Sequence, residues 1–113
     1  MDANTLYVSD LDGTLLNTRD AINPRSLRII NSLIEKGMKF TYATARSLSS
    51  ASVVTKGLSL HIPVIIYNGA FIRASDTGKT LYSVGFSKEE QRFMEEFLRK
   101  EGLSPLVYTF REG

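Results

Sequence analysis

Two carboxylates one residue apart, Asp10 and Asp12, end a short apolar run, Leu6-Tyr7-Val8, and are followed at once by Gly13-Thr14-Leu15-Leu16. An acidic pair at i and i+2 on a strand end can face one crevice, because alternate strand side chains share a face. Such a pair suits phosphoryl transfer. One acid attacks phosphorus in line; the other gives a proton to the leaving oxygen and later activates water on the covalent intermediate. A phosphate dianion beside two carboxylates is repelled by about 4 kcal/mol per unit-charge pair at a separation of ~4 Å and an effective dielectric near 20, so this chemistry needs a cation. Mg²⁺ is the natural cofactor, since it takes oxygen ligands, retains waters and bridges substrate phosphate to one or two carboxylates. Gly13 lets the backbone turn sharply under the site, and Thr14 adds a hydroxyl and an N–H for phosphate oxygens.

The elements that must position these groups read as an open α/β sheet, in which ligands bind beyond the carboxyl ends of parallel strands. A first strand over about Thr5 to Ser9 is apolar at its centre, which predicts burial on both faces. A helix follows over about Pro24 to Lys36, with Asn23 as N-cap, Pro24 at the first helical position, Leu27, Ile30 and Ile34 at helical spacing, and Gly37 as the stop. Lys39 to Ala43 is a second strand, and Thr44-Ala45-Arg46-Ser47 leads into a Ser-rich helix ending near Gly57. Pro63 to Tyr67 is a third strand, β-branched and apolar, which ends in the turn dipeptide Asn68-Gly69.

Beyond it the style of connection changes. Phe71 to Arg73 and Thr80 to Val84 flank Asp76-Thr77-Gly78 and predict an antiparallel hairpin. Ser87 and Glu90 have capping-box spacing, and Phe93, Met94, Phe97 and Leu98 form an apolar stripe before Gly102, predicting an amphipathic helix that packs on a sheet of its own. Leu106 to Phe110 reads as a last strand. A soft boundary falls near Val84 to Ser87.

With 113 residues and 42% hydrophobic content the chain can form one modest core. Fourteen basic against twelve acidic residues leave a net charge of +2, and no basic stretch is interleaved with aromatics, so nucleic acid is not the expected partner. No cysteine is present, which rules out disulfides and thiolate metal sites and fits a reducing compartment. Without a signal-like segment or an apolar run of membrane-spanning length, the expectation is a soluble cytoplasmic chain with no membrane partner.

The run Asp10-Leu11-Asp12-Gly13-Thr14-Leu15-Leu16 after an apolar strand resembles the first signature of the haloacid dehalogenase (HAD) superfamily of phosphatases, and Thr44 with Arg46 after the second strand resembles its second. The Asn68-Gly69-Ala70 turn, followed by a hairpin and a capping-box helix, looks like the Cof-type branch, in which an α/β cap domain is inserted there. The resemblance covers essentially the whole chain. It implies a Rossmann-like parallel sheet, the N-terminal half of a HAD core with its hairpin over residues 1–85, followed over residues 86–113 by the start of a cap domain. It also implies that Asp10 is the nucleophile and a Mg²⁺ ligand, and that Asp12 is the general acid/base and a Mg²⁺ ligand through its carbonyl. Thr44 would hold the phosphoryl group, with Leu11, Gly13, Thr14, Ala45, Arg46, Asn68 and Gly69 around it. Ala45 stands where the Cof-type pattern commonly has glycine, adding a methyl beside the site.

The implied activity is Mg²⁺-dependent hydrolysis of a small phosphorylated metabolite, a sugar phosphate or nucleotide-like ester, through an aspartyl phosphate. The superfamily also uses a lysine and one or two further aspartates from the half of the core that follows the cap, whereas the single aspartate after Asp20 here is Asp76, in a hairpin turn. The expectation is therefore an N-terminal portion of a longer phosphatase, its first strand left with an open edge that a second chain or a C-terminal segment would complete. The competing expectations are an inactive fragment or interaction module with the same fold, and a phosphoacceptor receiver domain. The receiver fits less well, because Tyr67-Asn68-Gly69 stands where its acceptor aspartate would be. Outside the acidic loop the residues read more plainly: His61 as a surface residue, Lys56 and Lys88 as solvated charges, and Arg46 as an ion-pair residue before a catalyst.

Overall fold

A computed structural model describes residues 4–110. Strand β1 (Leu6–Ser9) lies parallel to β2 (Lys39–Tyr42), in register from Leu6 opposite Lys39 to Ser9 opposite Tyr42. Helix α1 (Pro24–Glu35) makes the crossover between them. Its start is set locally: the Asn23 side chain accepts from the Arg25 N–H at 2.9 Å, and Pro24 occupies a position whose N–H would have no intrahelical partner. Its end is a Schellman turn, with Gly37 at φ +101° donating to Ile34 and Met38 donating to Leu33, both at 3.0 Å.

Helix α2 (Leu48–Val54), capped by Ser47 on the Ser50 N–H, carries the chain to β3 (Val64–Ile66). A parallel bridge between Ala43 and Ile65 joins β2 to β3, and the Thr41 hydroxyl reinforces it by donating to the Pro63 carbonyl at 2.7 Å. The order β1-β2-β3 thus places three strand ends side by side. From β3 the sheet continues antiparallel through β4 (Phe71–Arg73) and β5 (Thr80–Ser83), the expected hairpin, with Gly78 at φ +73° in its turn. Helix α3 (Lys88–Lys100) begins in the expected capping box: the Glu90 N–H donates to the Ser87 hydroxyl and the Ser87 N–H to the Glu90 carboxylate.

The core is small. Leu11, Leu16, Ile22, Tyr42, Ala51, Val64 and Ile66 are buried together, with Leu15, Leu27, Leu48, Val54, Leu58, Leu60, Tyr67 and Phe71 packed around them. The loop after α2 is fastened to α1 by Asn31, which donates to the Gly57 carbonyl at 2.8 Å and accepts from the Ser59 N–H at 2.9 Å. Gly57 has φ +100°, and a Cβ there would lie 2.9 Å from Leu27 Cδ2. Gly57→Ala is therefore expected to destabilise by about 1–2 kcal/mol, read as a lower midpoint of thermal unfolding by circular dichroism; an unchanged midpoint would show that this turn relaxes freely.

Three expectations need correction. Leu6, Tyr7 and Val8 are each about half exposed instead of buried on both faces, because β2 is the one strand paired with β1 among the described residues and neither face is fully covered. Leu106 to Phe110 forms no ladder among the described residues. It is held by rings instead, Tyr108 on Tyr67 at 4.9 Å and Phe110 on Phe71 at 5.3 Å. The apolar stripe of α3 is uncovered, with Phe93 67% exposed; amphipathic spacing specifies a face but not what lies against it.

Candidate active site

The acidic loop is shaped by alternation and one glycine. Asp10 continues the extended backbone of β1 at φ −69°, ψ 161°; Asp12 (φ −63°, ψ 127°) and Gly13 (φ +76°, ψ 0°) then occupy the central positions of a type II turn, the second of which requires a positive φ. The Leu16 N–H closes the loop on the Leu11 carbonyl at 2.9 Å. Leu11 consequently points into the core, where it is fully buried, while Asp10 and Asp12 on either side of it line an open pocket of about 460 Å³. Asp10 accepts the Leu11 N–H on Oδ1 at 2.7 Å, which fixes its carboxylate plane and leaves Oδ2 directed elsewhere.

The facing wall comes from the ends of β2 and β3, namely Ala43, Thr44, Ala45, Ile65, Asn68 and Gly69. Three backbone bonds lock these ends together: Thr44 N–H to the Ile65 carbonyl at 3.0 Å, Asn68 N–H to the Thr44 carbonyl at 2.9 Å, and Tyr67 N–H to the Arg46 carbonyl at 3.0 Å. Tyr67 and Asn68 are both held at positive φ, +47° and +56°, a conformation that costs a non-glycine residue about 1–2 kcal/mol and that these bonds offset. Thr44 is buried, and its hydroxyl oxygen accepts the Arg46 N–H at 3.1 Å, so its O–H proton is free to donate toward an anion.

Arg46 crosses from this wall to the acidic loop. Its Nε donates to Asp12 Oδ2 at 2.8 Å and its Nη2 to Asp12 Oδ1 at 2.7 Å, while Nη1 donates to the Ser50 hydroxyl at 2.9 Å; Asp20 Oδ1 lies 3.9 Å from Nη2. The hydrogen bonds from Arg46, aided by its charge, hold the Asp12 carboxyl below the usual carboxylate range. The sign follows directly: whatever the pair adds to folding is present above the ordinary carboxylate pKa and is lost as pH falls through Asp12's lowered one. With the Asp12 side chain 52% exposed, that addition is small.

Of the residues singled out in the sequence, Asp10, Asp12, Thr44, Ala45, Asn68 and Gly69 share the pocket. Leu11 is buried in the core, Gly13 and Thr14 are exposed and do not line the pocket, and the Arg46 guanidinium rests on Asp12 and Ser50. Sequence reasoning missed Ala43 and Ile65 as pocket lining, and Ser50 and Asp20 as neighbours of Arg46; only Ser50, four residues after Arg46 at helical spacing, left a local signal. The two carboxylates that line the pocket, Asp10 and Asp12, are oxygen donors of the kind that Mg²⁺ takes alongside phosphate and water. No cluster of three or more His, Asp or Glu side chains is found among the described residues.

The geometry has clear relatives. The sequence model for haloacid dehalogenase-like hydrolases matches residues 7–113. A 5-amino-6-(5-phospho-D-ribitylamino)uracil phosphatase from Bacillus subtilis is 31% identical over 101 residues, covering 88% of this chain and 34% of that protein. An HMP-PP phosphatase from Serratia proteamaculans is 33% identical over 76 residues, covering 67% of this chain and 27% of that protein. A Buchnera aphidicola protein is 36% identical over 96 residues, 84% of this chain and 34% of its own length. The chain thus spans about a quarter to a third of the length of the curated relatives it matches. Among solved structures, a HAD-superfamily phosphatase from Bacteroides thetaiotaomicron superposes with a TM-score of 0.76 at 24% identity, over 87% of this chain and 36% of that one. A Thermotoga maritima protein superposes with a TM-score of 0.67 at 30% identity, over 85% and 36%.

Proposed function

This chain belongs to the haloacid dehalogenase-like hydrolases, and we propose that it carries the nucleophile loop and phosphoryl-binding threonine of a Cof-type, Mg²⁺-dependent phosphatase acting on a small phosphorylated metabolite. One observation carries the proposal: Asp10, Asp12 and Thr44 face a single pocket at the ends of adjacent parallel strands. In the proposed reaction an Asp10 oxygen attacks phosphorus, the bond to the ester oxygen breaks, and that oxygen takes a proton from Asp12, which for this step is protonated and released from the Arg46 fork, as the alcohol leaves. Water then attacks the Asp10-bound phosphoryl group, Asp12 takes the water's proton, and inorganic phosphate departs with the Asp10 carboxylate restored. The Thr44 hydroxyl donates to a non-bridging oxygen throughout. Mg²⁺, held by the Asp10 carboxylate and Asp12 carbonyl, would supply the charge that lets a dianion approach two carboxylates.

The substrate proposed is a sugar phosphate or nucleotide-like ester. The ribitylaminouracil phosphatase relative is named for such an ester, a phosphate on a polyol chain attached to a uracil. The lysine and further acids that the resemblance calls for would come from polypeptide outside the described residues, in cis or from a second chain, and the open edge of β1 offers such a segment a place to pair. A cytoplasmic location belongs to the same proposal and is supported by the absence of cysteine; no described helix is long and apolar enough to cross a membrane.

The test is phosphate release by the complete gene product from a panel of sugar phosphates and nucleotides. Turnover is expected with Mg²⁺, a loss of at least about 100-fold on adding excess EDTA, and recovery on restoring Mg²⁺. Turnover unaffected by EDTA would remove the metal from the proposal. No phosphate release from any member of the panel would overturn the activity.

A further inference from the structure

Arg46 is anchored at every polar group. Its N–H donates to the Thr44 hydroxyl at 3.1 Å and its carbonyl accepts from Tyr67 at 3.0 Å, so its main chain is fixed to the wall that carries Thr44. Its guanidinium presents two donors to the two oxygens of Asp12, and a third to Ser50 in the first turn of α2. The Arg46 side chain is 22% exposed and is not part of the pocket lining, whereas Asp12 is. An arginine serving as a phosphate ligand would keep donors available for the anion; this one commits a donor from each of its three nitrogens to Asp12 and Ser50, and both of its shortest contacts go to one carboxylate.

What the fork achieves follows from the loop it grips. Asp12 sits at the first central position of a turn whose next residue is Gly13, and its side chain is 52% exposed, so without a partner its carboxylate would sample several rotamers. A bidentate guanidinium removes that freedom, because both oxygens must lie in the plane of the fork. The rigid body to which Asp12 is thereby tied is the same one that holds the Thr44 hydroxyl. We infer that Arg46 is a positioning residue, which holds Asp12 as the carboxylate and sets it relative to Thr44, and so fixes where the base that takes the attacking water's proton lies relative to the bound phosphoryl group, with Ser50 bracing the guanidinium. This rests on the proposed phosphatase function, since Asp12 must act as that base for its placement to matter.

Lysine separates orientation from charge, because an ammonium keeps the charge but cannot present two donors in a fixed fork. In the complete gene product, Arg46→Lys and Arg46→Ala are both expected to lower kcat by about 10- to 100-fold with KM within about threefold of the parent, the effect of a misplaced general base. In an Asp12→Asn background the same Arg46→Lys change should cost no more than about twofold, because a residue that acts through Asp12 has nothing left to place. Full activity in Arg46→Lys would show that charge suffices and overturn the inference. So would a rise in KM at unchanged kcat, which marks a substrate ligand, or a full further loss in the Asp12→Asn background. A purely structural role would appear as a lower melting temperature with unchanged kcat per folded molecule.

A second readout does not depend on turnover. The Arg46 Nε–H resonance should be protected from solvent exchange in the parent and lose that protection in Asp12→Asn. Absence of protection in the parent removes the clamp and the inference with it. A protected resonance together with a fully active Asp12→Asn variant would leave the clamp standing and overturn both the acid/base role of Asp12 and the positioning role that depends on it.

Discussion

Asp10→Asn is expected to reduce turnover of every accepted phosphate ester by at least about 10⁴-fold while leaving the unfolding midpoint close to that of the parent, because removing a covalent nucleophile closes the two-step route altogether. The amide is nearly isosteric, and its oxygen can still accept the Leu11 N–H that Asp10 Oδ1 accepts at 2.7 Å, so the loop should keep its shape. What is lost is the anionic oxygen that attacks phosphorus. The counterpart is Asp12→Asn, in which the first step is slowed and the second loses its base, so a phosphoryl adduct on Asp10 should accumulate and be visible by intact mass after an acid quench. Equal activity in Asp10→Asn would remove Asp10 as the nucleophile. An adduct mapped to another residue would move the nucleophile instead.

Much of this site is written in the sequence because its geometry is local. Alternation along an extended strand places Asp10 and Asp12 on one side and Leu11 on the other, and the Asp12-Gly13 dipeptide demands the turn that follows. The caps of α1 and α3 were legible for the same reason, since Asn23 with Pro24, and Ser87 with Glu90, satisfy backbone groups within a few residues of themselves. What was not legible depends on partners far away in the chain. Arg46 reads as an ion-pair residue from its type, but Asp12 as its partner lies 34 positions earlier, and nothing local in either segment points to the other. Apolar content at β1 and at Leu106 to Phe110 is likewise compatible with a buried strand, yet burial needs a neighbour on each face and a ladder needs a second strand. Among the described residues β1 has one strand partner, and the segment near Phe110 has ring contacts and the Arg73 guanidinium 5.5 Å from the Phe110 ring in place of a ladder. The stripe on α3 repeats the lesson, with a capping box satisfied to the atom and an apolar face left uncovered.

Leu11 tests whether the loop is held from below. Read from the sequence alone it stands among the groups that surround the phosphoryl group, yet its side chain is fully buried beside Leu16, Ile22, Tyr42, Val64 and Ile66, and only its backbone faces the acids. Leu11→Ala should therefore destabilise by about 2–5 kcal/mol, the range for emptying a leucine site in a core that cannot collapse fully. In a domain of this size each kcal/mol lowers the melting temperature by roughly 4–8 °C, so a fall of at least about 10 °C is expected by circular dichroism or calorimetry. Leu11→Met, which nearly conserves volume, should cost under about 1.5 kcal/mol. If Leu11 instead contacted substrate through its side chain, the alanine variant would melt like the parent and change KM. The two outcomes are exclusive enough to decide the matter, and the expected one has a consequence for catalysis. The carbonyl that receives the Leu16 N–H and the N–H that fixes the Asp10 carboxylate both belong to Leu11, so a hole beneath it loosens the nucleophile and the turn together. The loss of activity in Leu11→Ala at temperatures well below its melting point should then exceed the unfolded fraction, and in Leu11→Met it should not.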